Sequence, residues 1–374
     1  MALNLLPAHQ HSEITSRLSA LTAQLSNTYR RLYEGLNYRL RTFAGSRFAA
    51  HCGPTSIALL MTERCNARCI HCDIWKNRGQ EDRPDLDQWK TVLRDLRRWL
   101  GPVGVVLTGG EALLNRDTLE LVAFGGSLGL CLELLTHGFW EDQTKIQRLA
   151  EARPARVTIS FDGVGETHNL IRGRENFATK TGQTIQTLRQ VREANSLDYN
   201  IRLKTVIMRQ NLDDVANVAR FAKQNGLEVF YQPIEQNYNT VEDARWFEQS
   251  PTWPDNPEKA IAVVKELCEL KRAGFPIMNT LAQLEVMIPY FADPAELRVA
   301  VRSHTAHERQ LLCSAMTMLQ IQANGDVRPC ISREAIGNIK LQPIQRIWQT
   351  RPRWWLEGCC LEERVGTVAR ASRP

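Results

Sequence analysis

The feature that most limits what this chain can become is a run of three cysteines within eight residues, Cys65-Asn66-Ala67-Arg68-Cys69-Ile70-His71-Cys72. Ten cysteines occur in 374 residues, so a group this dense stands apart from scatter. The apolar run from Ile57 to Met61 precedes it and reads as a buried strand. The cysteines therefore fall on the loop leaving a strand's C-terminal end, where open α/β sheets and barrels carry their chemistry. A loop this short can wrap three thiolates around one face of an iron–sulfur cube, since cysteine sulfur holds such clusters. Three ligands for four irons leave one iron without a protein ligand, and an open position separates a catalytic metal site from a closed structural one. The alternatives are a zinc knuckle or three unrelated thiols. Zinc sites usually show paired C-x-x-C units and four ligands, and no partner pair lies near this run.

Strands and helices alternate from residue 54 to about 235. Apolar, β-rich runs at 56–61, 103–107, 130–135, 156–160, 201–207 and 228–233 are the expected strands. Amphipathic patterns at 85–100, 116–124, 142–151, 181–194 and 212–225 are the expected helices. That alternation argues for βαβ units and a parallel sheet. Six units are too few for a closed eightfold barrel. Residues 8–43 form an N-terminal arm with apolar positions at helical spacing (Ile14, Leu18, Leu21, Leu25, Leu32, Leu36, Leu40) and a basic face. Docking on the body of the protein is its expected role, with a membrane-surface or partner-binding helix as the alternative. Further helical patterns at 257–273 and 278–291 are punctuated by prolines. Asn324-Gly325-Asp326 marks a hairpin turn near the C-terminus, and the tail after Glu362 is basic and poor in large apolar residues.

Composition sets outer limits. A balance of 47 basic against 41 acidic residues, net +6, shows no concentrated basic block of the nucleic-acid type. No apolar stretch reaches the roughly 20 residues of a membrane span. The N-terminus lacks a charged start, a long apolar core and a cleavage site, so no secretory signal is expected. Clustered cysteines without a signal point to a reducing interior, and the cytoplasm is the expected location.

The spacing C-x-x-x-C-x-x-C, with the aromatic His71 before the last cysteine, resembles the signature of the radical S-adenosylmethionine (SAM) superfamily. The resemblance implies an open partial (β/α)6 barrel and a [4Fe–4S] cluster on Cys65, Cys69 and Cys72. It also implies SAM on the open iron, and cleavage of SAM by one electron to a 5′-deoxyadenosyl radical. His71 is then expected near the adenine. Leu107-Thr108-Gly109-Gly110-Glu111 ends the second strand and resembles the family's Gly-Gly-Glu segment. The glycines permit close backbone approach to a ligand, and Glu111 is expected to accept from the SAM ammonium. Taken alone, such a triplet is usually a plain strand-to-helix turn. Ser160 and Asp162 alternate at the end of the fourth strand and are expected to point to one face of the pocket rim. By resemblance, the serine contacts the ribose or carboxylate region. Arg172, twelve positions later, is expected to pair with the SAM carboxylate, which suits a guanidinium fork; a surface ion pair is the alternative. His137 stands where many relatives show asparagine, in Thr136-His137-Gly138, and the resemblance assigns it no role. Gln232-Pro233 falls where relatives line the adenine side, or is a plain turn. Met208, Met287 and Met316 are expected as core fillers, and Cys52, Cys131 and Cys268 as inert buried thiols.

A second cysteine set begins with Cys313 and Cys330 around Gly325, spaced C-x11-G-x4-C, with Gly337-Asn338-Ile339 and Ile347-Trp348 following. It resembles the start of the extension called SPASM, or its shorter form twitch, which implies an auxiliary iron–sulfur cluster. Full SPASM domains continue with several more cysteines. Here only the adjacent Cys359 and Cys360 remain, so a single auxiliary cluster is expected, with a vestigial or zinc site as the alternatives. The expected organisation is an arm (1–53), a barrel core (54–235), a helical linker region (236–305), a SPASM/twitch-like α+β extension (306–362) and a basic tail (363–374).

The implied activity is reductive cleavage of SAM and hydrogen abstraction from a peptide, protein or small metabolite. A flavodoxin- or ferredoxin-type reductant would supply the electron. The competing classes are a radical SAM enzyme acting on nucleic acid, and a non-enzymatic iron–sulfur or zinc electron-transfer module. The second accounts for the cysteines but not for Gly109-Gly110-Glu111 or Ser160 to Arg172 at strand ends.

Overall fold

A computed structural model describes residues 24–26, 28–41, 51–77, 82–237, 243, 245–294, 314–330 and 333–354. Its centre is a nine-stranded sheet in the order β6-β5-β4-β3-β2-β1-β7-β8-β9. The first six strands are β1 (Ser56–Leu60), β2 (Gly104–Thr108), β3 (Cys131–Thr136), β4 (Arg156–Ser160), β5 (Asn200–Ile207) and β6 (Glu228–Pro233). All six pair in parallel with their sequence neighbours. These are the expected βα units of a partial barrel, and the linear strand order leaves β6 at one edge.

Each strand divides its side chains between two faces. Leu59, Leu107, Leu134, Ile159, Leu203 and Val229 form a fully buried row against the helices. The opposite face is half-open and polar. There Arg156 Nη1 donates to Glu133 Oε2 at 3.0 Å, and Thr158 Oγ1 donates to Glu133 Oε1 at 2.6 Å. Arg202 Nη2 lies 2.8 Å from Glu228 Oε2 on the same face. Glu133, Arg156, Arg202 and Glu228 are tolerated on this face because they pair with one another.

The arm helix α1 spans 28–41. It is followed by α2 (Leu86–Leu100), α3 (Thr118–Ser127), α4 (Thr144–Glu151), α5 (Glu166–Arg172), α6 (Phe177–Ala194), α7 (Val215–Asn225) and α8 (Pro257–Arg272). Then come α9 (Leu281–Glu285), α10 (Met287–Ala292) and, near the C-terminus, α11 (Ile344–Gln349). Helix α2 starts at a capping box between Asp85 and Gln88 and buries Trp89, Val92, Leu93, Leu96 and Leu100. Helix α5 was not anticipated. At seven residues between Gly165 and Gly173 it is too short to form on propensity alone, and packing holds it.

The described part of the arm docks on the body, but not through Leu25, Leu32 or Leu36. Leu25, Leu32 and Leu36 are 69%, 68% and 58% exposed. The attachment uses polar tips instead. Tyr29 Oη donates to the Leu100 carbonyl at 2.9 Å, Tyr33 Oη donates to the Pro54 carbonyl at 3.0 Å, and Asn37 Oδ1 accepts from Gly53 N at 3.0 Å. Ile14, Leu18 and Leu21 lie outside the described residues.

The C-terminal strands continue the main sheet. Strand β7 (Met318–Ile321) pairs in parallel with β1. Strands β8 (Asp326–Arg328) and β9 (Gly337–Asn338) follow antiparallel, beyond the turn at Gly325. Helix α11 closes over this junction. Its Trp348 is buried, donates Nε1–H to the Cys52 carbonyl at 2.8 Å and tilts against Trp99 of α2. No helix among the described residues is long and apolar enough to cross a membrane.

Truncating Trp348 removes both a core-filling ring and its hydrogen bond to the Cys52 carbonyl. Trp348→Ala is expected to lower unfolding stability by about 3–5 kcal/mol, read by denaturant titration.

Candidate active site

The cysteine loop is shaped by backbones pressed together where only glycine fits. Gly109 sits at φ +135°, and a Cβ there would stand 2.3 Å from the Thr62 carbonyl oxygen. A Cβ on Gly110 would stand 2.4 Å from the Arg64 carbonyl. Those contacts carry hydrogen bonds: Gly110 N to Thr62 O at 2.7 Å and Glu111 N to Arg64 O at 2.9 Å. On the loop's other side, Arg68 N donates to Arg172 O at 3.1 Å and Ile70 N to Ile171 O at 3.0 Å. Gly173 ends α5 at φ +68°, where a Cβ would lie 2.1 Å from the Arg68 carbonyl. The loop is thus clamped between the end of β2 and the end of α5.

Cys65, Cys69 and Cys72 all line one cavity of about 350 Å³. Cys69 is buried, and Ala67, Phe139 and Phe177 pack about the three thiols. Burial pushes the Cys65 thiol up to about 12 and raises Cys72 as well, so these groups deprotonate only when a metal takes the place of the proton. Among the described residues, no three metal-binding side chains converge on one point as a single ion requires. Three soft thiols lining one cavity are the donor chemistry that holds an iron–sulfur cluster.

His71, Gly109, Gly110, Ser160, Arg172 and Gln232 line the same cavity. Glu111 does not, contrary to expectation. It is 1% exposed, and its carboxylate accepts from Leu113 N at 3.1 Å, His137 N at 2.8 Å and Thr136 Oγ1 at 3.1 Å. Asp162 also turns away from the rim. Strand β4 ends at Ser160, so the two-residue alternation no longer governs position 162. The Asp162 carboxylate accepts from Val206 N at 3.0 Å and pairs with Arg172 Nη2 at 2.5 Å. Burial opposes its charge, yet the Arg172 guanidinium holds the carboxyl below the usual range.

Arg172 therefore has two tasks. One nitrogen is fixed on Asp162, while Nη1 faces Cys69 Sγ at 3.5 Å and Nε is buried with no partner. The residue lines the cavity, and its buried Nε is a donor left without an acceptor. His71 is neutral, its pKa depressed to about 4 by burial and by Arg172, and its Nδ1 is likewise buried without a partner.

Several cavity residues had no sequence signal of their own. Lys204 lies in register with Ser160 across β4 and β5. Burial lowers its pKa, and Glu235 stands at the solvent-exposed rim. Gln236 and Trp75 complete that side, and Gln320 reaches in from β7 with its Oε1 buried and unpartnered. Only the pairing of β7 with β1 brings Gln320 here. Of the second cysteine set, Cys330 is buried just past β8. Cys313, Cys359 and Cys360 lie outside the described residues.

Two outcomes follow from this geometry. Gly173→Ala combines a left-handed backbone with a clash against the loop, and is expected to cost at least about 1–3 kcal/mol and to reduce bound iron, read by unfolding and iron assay. His168 is buried between Asp162 N at 3.1 Å and Thr181 Oγ1 at 3.4 Å, and its pKa falls to about 3, through burial first and the Arg172 charge second. The unfolded chain takes up that proton near 6.5 and the folded chain does not, so stability should fall as pH drops from about 6.5 towards 3. His168→Gln should flatten that slope in pH-dependent unfolding.

A family model for the Radical SAM superfamily matches residues 59–222, and one for the iron–sulfur cluster-binding domain SPASM matches residues 313–357. The chain is 24% identical over 304 residues to the AdoMet-dependent heme synthase of Methanosarcina barkeri, covering 79% of this chain and 82% of that protein. It is 32% identical over 171 residues to the PqqA peptide cyclase of Rhodopseudomonas palustris, covering 45% of this chain and 44% of that protein. Among solved structures, Streptococcus suis SuiB bound to S-adenosylmethionine superposes with a TM-score of 0.60 at 14% identity, covering 80% of this chain and 67% of that one. At that identity the likeness is one of fold.

Proposed function

We propose that the radical SAM and SPASM domains of this chain act together to abstract a hydrogen atom from a peptide or protein substrate. The enzyme uses a [4Fe–4S] cluster, SAM and an auxiliary iron–sulfur cluster, as its two domains imply. Cys65, Cys69 and Cys72 hold the first cluster. When bound, that cluster supplies the electron that splits SAM into methionine and a 5′-deoxyadenosyl radical. Gly109 and Gly110 bring backbone to the edge of the cofactor, and Ser160 and Arg172 meet its ribose and carboxylate region. His71 packs beside the adenine as a neutral ring. Cys330 holds the auxiliary cluster with Cys313 and one of Cys359 or Cys360. A flavodoxin- or ferredoxin-type reductant feeds the electron in, within a reducing cytoplasmic setting.

The substrate class rests on one observation, the composition of the cavity's remaining wall. At about 350 Å³ the cavity suits a cofactor and one end of a substrate. Beyond the cofactor residues its polar lining includes Lys204, Gln232, Glu235, Gln236 and Gln320, set among the apolar Ile74, Trp75, Leu135, Val206 and Ile234. Amide side chains that both donate and accept match the alternating N–H and C=O groups of a peptide. The PqqA peptide cyclase, by its name, acts on a peptide. A second reading is a heme-type tetrapyrrole. It is favoured by the length of the heme synthase alignment, which runs over 304 residues where the peptide cyclase alignment runs over 171.

Anaerobically reconstituted protein given SAM and dithionite should form 5′-deoxyadenosine, and Cys69→Ala should bring it to background. A deuterated substrate peptide should pass its label into the 5′-deoxyadenosine. Label arriving from a tetrapyrrole instead would select the second reading. Undiminished product from Cys69→Ala would overturn the assignment of the cluster.

A further inference from the structure

We propose that His137 is a positioning residue that latches the cysteine loop into its ligand-ready shape; this rests on Cys65, Cys69 and Cys72 being the cluster ligands. The latch is defined by the tautomer of its ring. Phe139 N donates to His137 Nδ1 at 2.9 Å, which places the ring proton on Nε2. Nε2–H then points at Asn66 Oδ1, 2.7 Å away, inside the loop between Cys65 and Cys69. The same nitrogen lies 3.3 Å from Glu111 Oε2. The ring has no freedom to turn elsewhere, because Trp140 stacks on it at 5.8 Å and Phe177 meets it edge-on at 5.4 Å.

His137 therefore joins three neighbouring strand ends. Its backbone N–H and the hydroxyl of Thr136 fix Glu111, just after β2. Its ring fixes Asn66, on the loop after β1. The ring itself stands on the residue after β3. A histidine that merely filled core space would need no acceptor from the loop. Here a directional donor in a buried setting reaches into the loop, and losing it would leave the Asn66 oxygen without its donor. Without the latch the three thiols would have to be gathered from a wider ensemble of loop shapes, at a cost in conformational entropy. Outer residues that orient metal ligands typically change metal affinity by about 10–100-fold when removed.

The test uses the full chain, first without iron and then reconstituted. Amide hydrogen exchange should quicken across residues 65–72 in His137→Ala and in Asn66→Leu. Both variants should need about 10–100-fold more free iron for half-filling, and the reduced cluster's EPR response to SAM should change. His137→Gln, whose amide presents an N–H donor towards Asn66, should recover most of each property. Asn66→Leu leaves the core intact, so it decides the matter where His137→Ala loses overall stability. Wild-type exchange, iron uptake and EPR in Asn66→Leu would overturn the latch, as would His137→Gln behaving no better than His137→Ala. A wild-type protein that binds no cluster would instead overturn the ligand assignment.

Discussion

Everything at this site depends on chain segments approaching closer than side chains allow. The loop carrying the three cysteines runs between the end of β2 and the end of α5, and backbone hydrogen bonds hold it on both sides. Gly109, Gly110 and Gly173 are glycines because any Cβ would collide with a loop carbonyl. The Gly-Gly pair is therefore a structural joint before it is a ligand contact. It sets the loop's height above the sheet, and so sets where a cluster and its open iron can stand.

Charge around this joint is arranged to hold position rather than to titrate. His71, His137 and His168 are all driven to the neutral form by burial. Among the described residues, Arg172 is a buried cation in contact with Cys69, and Asp162 keeps it in place. A guanidinium beside Cys69 would favour the more negative, reduced state of a bound cluster, since hydrogen bonds to ligand sulfur help set such potentials. Fixing the arginine from behind holds its guanidinium at the cavity wall beside Cys69.

Much of this was legible in the sequence. Cys65, Cys69 and Cys72 follow an apolar strand, and that order alone places them at a strand's C-terminal end. The six strands were readable because each has an aliphatic row that cannot be left in water. What escaped was decided by partners distant in sequence. Glu111 ends a motif at the pocket, and its buried carboxylate also ties its own turn to β3 through three donors, a task its motif does not show. Asp162 looked like a neighbour of Ser160, but the strand had already ended. Gln320 has no local signal, and it reaches the cavity because β7 joins β1 across more than 250 intervening residues. His137 looked like a mild departure from a family pattern, and its role shows only when Asn66 is seen opposite its ring.

The claim that carries the rest is that one iron of a cluster on Cys65, Cys69 and Cys72 is free to bind SAM. Electron–nuclear double resonance on the reduced, anaerobic protein with SAM labelled by 15N at its amino group or 17O at its carboxylate addresses it directly. Hyperfine coupling between the label and the cluster is the expected result, and it should vanish when unlabelled SAM replaces the labelled form. A reduced cluster whose spectrum is identical with and without labelled SAM would contradict the account.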